Sequence, residues 1–133
     1  MINSNVFDYV NVLQKAADAS WQRHEVLSNN IANVNTPGYK RRDIDFESQL
    51  RQALGESRYE SVDSKVAHLS SKDLRPRIFT DASNFSYRMD KNNVDIDTES
   101  VELASNQLKY DGLGTSIQHE FQMLQSVMRS SGT

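Results

Sequence analysis

Residues 27–39 read LSNNIANVNTPGY, and the reading of this stretch decides the fold. Leu27, Ile31 and Val34 keep the four-and-three spacing of an amphipathic helix. Yet asparagine fills four of the seven positions from Asn29 to Asn35, and Thr36, Pro37 and Gly38 follow at once. Asparagine is a mediocre helix former because its carboxamide competes for backbone partners. Pro37 pushes Thr36 out of the helical region, and Gly38 is free to turn the chain at positive φ. The stretch therefore closes a long helix at about Asn35, with Tyr39 available to pin the exit by packing its ring. Carboxamides offer two donors and an acceptor, so asparagines here suit a close-packed polar interface that adds no charge.

Upstream, Val6, Val10, Leu13, Ala17, Ser20, His24, Leu27, Ile31 and Val34 form one stripe at alternating spacings of four and three. Seven of these nine are apolar, which matches a heptad seam. Asn5 is the expected N-cap, and Asp8 falls in the first turn, where a negative charge favours the helix dipole. The C-terminal end repeats the pattern through Leu103, Gln107, Tyr110, Gly114, Ile117, Phe121, Leu124 and Met128, and Val101, Ala104 and Leu108 widen it. Thr98 is the expected cap of that helix, with Glu99 and Glu102 in its first turn. Gly112 and Gly114 are its weak place, a hinge, a close helix contact or a break, since each interior glycine costs about 1 kcal/mol relative to alanine.

Between the ends, residues 38–97 show no sustained period. Phe46, Leu50 and Leu54 predict a short helix over 44–54 that stops at Gly55. Arg75, Pro76 and Arg77 act as a breaker. Ile78 with Phe79, and Phe85 with Tyr87, are short strands or anchors in a long connection. The expected fold is mainly α: two long terminal amphipathic helices paired like a coiled coil, with an irregular, partly extended middle. In domain terms this gives an N-terminal axial helix over 1–37, a middle segment over 38–97 and a C-terminal axial helix over 98–133. Two paired helices bury one seam each and cannot enclose a core. Either the stripes bury only each other, as in a helical hairpin, or they are completed by neighbouring subunits.

Composition narrows the function. Leu, Ile, Val and Phe make up 31 of the 133 residues, only just above the share, roughly 20%, at which chains stay unfolded. Net charge is −3 with the signs interspersed, so no basic face invites nucleic acid. The chain has no cysteine, hence no disulfide or thiol chemistry. No stretch approaches the ~20 apolar residues of a membrane span, and the opening MINSNVFDYV has no charged and apolar regions of a secretory signal. His24, His68 and His119 sit in separate segments, and His24 reads as a packed seam residue. The run from Asp90 to Asp95 lacks the glycine at position six and the acid at position twelve of a calcium loop, where Val101 stands. Lys40, Arg41 and Arg42 are balanced by Asp43, Asp45 and Glu47, and the Asn84 sequon has no secretory context. No nucleophile elbow or phosphate loop is present. Neither enzyme chemistry, a cofactor, a metal nor a small-molecule substrate is expected.

The run from Leu27 to Tyr39 resembles the signature of the bacterial flagellar basal-body rod and hook family, whose N-terminal helix ends in an N-x-x-N-x-x-T-P-G-Y-type segment. Lys40-Arg41-Arg42-Asp43-Ile44-Asp45-Phe46, Asn93-Val94-Asp95-Ile96-Asp97 and Asn106-Gln107-Leu108-Lys109-Tyr110 resemble its proximal-rod branch. The chain is also short, with no large inserted outer domain. The resemblance implies a structural subunit whose terminal helices pair and pack against other copies of itself and neighbouring rod proteins. It implies a place near the inner membrane, beside a ring-linked adaptor, the MS ring and the export gate, and export to the periplasm without a cleaved signal. On that reading the subunit interface comprises Val10, Leu13, Leu27, Asn30, Ile31, Asn33, Val34, Leu103, Tyr110, Ile117, Phe121, Leu124 and Met128. Asn35, Thr36, Pro37, Gly38 and Tyr39 form the signature turn. A helical export chaperone or adaptor is the alternative, and would be a discrete dimer retained in the cytoplasm.

Overall fold

The computed structural model describes residues 5–55, 60–69, 74–81 and 88–130. Two helices dominate: α1 (Asn5–Ala32) and α4 (Ile96–Ser130). At 1.5 Å per residue they are about 42 and 52 Å long. Ser20 meets Asn106 and Asn30 meets Glu99, so the two run antiparallel. Between them lie β1 (Arg42–Ile44), α2 (Glu47–Leu54), α3 (Val62–His68) and β2 (Ile78–Thr80). β1 and β2 pair antiparallel with Arg42 opposite Thr80 and Ile44 opposite Ile78. The expected architecture of paired terminal helices around an irregular middle is what the chain adopts.

The boundaries differ from the sequence reading in three places, each for a local reason. α1 ends at Ala32 because the next turn tightens. The Asn33 N–H is shared between the carbonyls of Asn29 and Asn30, and Val34 and Thr36 donate to the third residue before them. Gly38 then takes a φ of +73°, which side chains with a Cβ rarely adopt. α2 begins at Glu47, since Arg42, Asp43 and Ile44 are claimed by the strand, and the Asp45 carboxylate accepts the Ser48 N–H at 3.0 Å. α4 is capped by Asp95, not Thr98: its carboxylate accepts the Asp97 N–H at 3.0 Å and the Thr98 hydroxyl at 3.1 Å. Through Gly112 and Gly114 the same helix continues unbroken. The cap assigned to Asn5, the anchors Phe85 and Tyr87 and the Asn84 sequon lie outside the described side chains.

α1 is buried on two sides. Ala19 and Val26 join Ile44, Phe46 and Leu74 in a small apolar core, edged by Val12, Ala16, Leu50 and Leu69. α3 was not foreseen. It is capped by the Ser61 hydroxyl, which accepts the Ser64 N–H, and Tyr9 on α1 donates to Asp63 at 2.6 Å. Val101, Ala104 and Leu108 face solvent, although their spacing had assigned them to the stripe. The positions of α4 turned inward near its start are Glu99, Glu102, Leu103 and Asn106, mostly polar.

Candidate functional site: a buried polar clamp and an exposed helix end

Where α1 ends and α4 begins, polar side chains do the work that apolar ones do elsewhere. Asn30 is fully buried, and every hydrogen-bonding position of its amide is filled. Its Nδ2 donates to the Arg42 carbonyl at 2.7 Å and to a Glu99 carboxylate oxygen at 2.9 Å. Its Oδ1 accepts the Arg42 N–H at 3.0 Å and the Tyr39 hydroxyl at 3.2 Å. One carboxamide thus ties the signature turn, β1 and α4 to α1.

Around it two arginines and three carboxylates alternate. Arg23 grips Asp43 with two nitrogens, at 2.7 and 3.1 Å, and reaches Glu102 at 2.8 Å. Arg41 pairs with Asp43 at 2.8 Å and with the buried Glu99. Planar guanidinium groups match carboxylates in this two-pronged way, which fixes angle as well as distance. The Asp43 hydrogen bond raises the Arg23 pKa well above its ordinary value, despite the opposing effect of burial. Burial pushes the Asp43 carboxyl up, yet Arg23, the Ile44 N–H and Arg41 together hold it below its usual range. No buried side-chain nitrogen or oxygen among the described residues lacks a partner. Ser20 and Asn106 extend the seam: the serine hydroxyl donates to Asn106 Oδ1 at 3.1 Å, and Asn106 Nδ2 donates back to the Ser20 carbonyl at 2.8 Å.

A second clamp holds the signature turn itself. Asn92 Nδ2 lies within hydrogen-bond distance of the carbonyls of Asn33, Val34 and Thr36, at 2.8 to 3.0 Å. All three carbonyls lie in the turn just beyond Ala32, where α1 has ended. Asn33 donates to the Asn29 carbonyl and accepts the Thr36 hydroxyl, while the Gly38 N–H reaches the Asp90 carbonyl at 2.8 Å.

The thirteen residues assigned from sequence to the subunit interface divide into three groups. Leu27 and Asn30 are enclosed within the protomer, because their partners belong to the same chain. Val10, Leu13, Ile31, Asn33, Val34, Leu103, Ile117 and Leu124 are half-buried. Tyr110, Phe121 and Met128 are exposed, Phe121 by 54%. In the turn, Asn35, Thr36, Pro37 and Gly38 are exposed and Tyr39 is half-buried. Tyr110 leans on Trp21, which stacks on His24 at 5.9 Å. Sequence reasoning missed Arg23, Arg41, Asp43, Asn92, Glu99, Glu102 and Asn106. One signal was available: Glu99, Glu102 and Asn106 recur at helical spacing and put polar groups on the stripe. Among the described residues no acid or histidine cluster could hold a metal, and no helix is long and apolar enough to cross a membrane.

The clamped turn coincides with a family pattern. A flagella basal body rod protein model matches residues 11–40. The chain is 34% identical to the flagellar basal body rod protein FlgB of Bacillus subtilis strain 168 over 117 residues, spanning 87% of this chain and 89% of that one. This chain belongs to the FlgB family of flagellar basal body rod proteins. It is 38% identical to FlgB of Salmonella typhimurium strain LT2, with 73% of this chain and 75% of the relative aligned. The figure for FlgB of Escherichia coli K12 is 32%, over 88% and 90%. It is a structural subunit of the flagellar rod in the basal body, and the chaperone or adaptor reading has no support from these relatives.

Proposed function

We propose that the chain is a subunit of the proximal rod, where α1 and α4 serve as axial helices that pack against neighbouring subunits and carry torque along the flagellar axis. The observation that carries this reading is the surface of α4. Phe121, Met123, Val127 and Met128 are exposed, and with half-buried Leu124 they cover nearly half the circumference of one helix end. α1 can cover only one side of that end, so a second partner completes its burial. Exposed apolar patches rimmed by polar residues mark such contacts. The polar clamp supports the reading from the other end. A shaft element that transmits torque needs its two helices fixed in register, and two-pronged ion pairs fix register better than apolar contacts do.

In this role the subunit meets other copies of itself and neighbouring rod proteins, and at its base the ring-linked adaptor, the MS ring and the export gate. It leaves the cytoplasm through the flagellar export apparatus without a cleaved signal and assembles in the periplasm. Residues 1–37 and 98–133 are the axial parts of the chain, and 38–97 brace them. Leu27 and Asn30 are used up inside the protomer; the other interface residues assigned above remain the contacts we assign to assembly, led by Tyr110, Phe121, Leu124 and Met128. Electron microscopy of basal bodies from a strain lacking this gene tests the reading. Rings without a rod are expected; intact rods bearing hooks would overturn it.

A further inference from the structure

A groove of about 730 Å³ runs between α1, α4 and the segment joining β1 to α2. Phe46, Leu50, Phe79 and Leu113 give it apolar walls, and Gly112 and Ser116 line it from α4. A glycine inside a helix costs about 1 kcal/mol relative to alanine. A Cβ built at Gly112 meets nothing within 4 Å, so no contact inside the protomer requires the missing side chain. The charges around the groove are mostly matched: Arg23 holds Asp43 and Glu102, and Lys109 holds Glu47. Asp45 is the exception. It is exposed, it accepts from Ser48, and it forms no ion pair among the described residues.

The far end of α4 has the complementary chemistry. Phe121, Met128 and Arg129 fall within about 100° of the helix circumference. All three are exposed, and Arg129, in the last turn, makes no ion pair among the described residues. Because α4 is one unbroken helix through Ser130, this end cannot turn back into its own groove. We infer that the groove receives the α4 end of a second copy of this chain, with Phe121 and Met128 against its apolar walls and Arg129 facing Asp45. The inference rests on the rod-subunit reading and names the contact that reading requires. Gly112 then has a purpose, since it lets the incoming helix approach closely. Groove and end lie at different heights on α4, about 18 Å apart from Gly112 to Leu124. Each copy that receives an end still presents its own, so the contact is head-to-tail and builds a shaft without closing into a pair.

The absence of native cysteine makes the test clean. In a variant carrying both Ser116→Cys and Gln125→Cys, the two sulfurs of one copy are held about 13 Å apart along a rigid helix, too far for a disulfide. Oxidation of purified basal bodies that contain this variant is expected to give a ladder of dimers and higher multimers, absent from either single-cysteine variant. Asp45→Arg and Arg129→Asp are each expected to abolish swimming, and the two combined to restore it. A variant present in basal bodies but giving no ladder, a crosslink only to a different protein, or a double reversal no better than the singles would each overturn the groove contact. A chain missing from basal bodies altogether would overturn the rod reading itself.

Discussion

Asn30 holds its position because four groups depend on one amide. Replacing it by alanine strands the Arg42 N–H and carbonyl and one Glu99 oxygen in a buried setting. Each orphaned group costs about 1–3 kcal/mol, so Asn30→Ala is expected to destabilise the protomer by about 3 kcal/mol, read as a fall in the urea midpoint by circular dichroism. Asp43 adds a pH dependence. A carboxylate held below its ordinary pKa of 3.8 contributes stability above that value and loses it as pH falls through the folded value. The urea midpoint should therefore stay level, as far as this group is concerned, from pH 7 to about 4 and drop below it. Asp43→Asn is expected to flatten that drop and to cost about 2–3 kcal/mol at pH 7. That is less than a fully buried pair loses, because both arginines keep some contact with water.

At the scale of elements, the helices were legible because a four-and-three stripe is a property of neighbouring residues. Leu13, Leu27 and Ile31 announce their helix whatever the rest of the chain does. Its end was legible as a break but not as a boundary. The tightened turn after Ala32 depends on Asn92, 56 to 59 positions away, for partners to its carbonyls. β1 was hidden for the same kind of reason: Asp43 and Ile44 are strand residues because of Ile78, Phe79 and Thr80, which no local pattern connects to them. The polar clamp was the least visible part, since Glu99 and Glu102 look like ordinary first-turn acids until Arg41 and Arg23 are folded against them. The glycines of α4 give an expectation at this scale. Neither has a neighbour where a Cβ would sit, so Gly112→Ala and Gly114→Ala should each raise protomer stability by about 1 kcal/mol, measured as a higher melting temperature.

At the scale of the whole molecule, the exposed end of α4 separates folding from assembly. Phe121→Asp changes an exposed side chain far from the clamp, so the melting temperature should move little while swimming is lost. Normal motility in that variant would remove Phe121 from the assembly surface. The clamp also sets the order in which this chain becomes rigid. Its two halves lie 69 positions apart, at Asn30 and Glu99, with Arg41 and Asp43 between. Contacts that distant close only after the intervening loop has been gathered in, an entropy cost that local helix formation does not face. A chain emerging end-first, from a ribosome or from any narrow passage, can wind its first helix early. The lock stays open until the beginning of the last helix has followed it out.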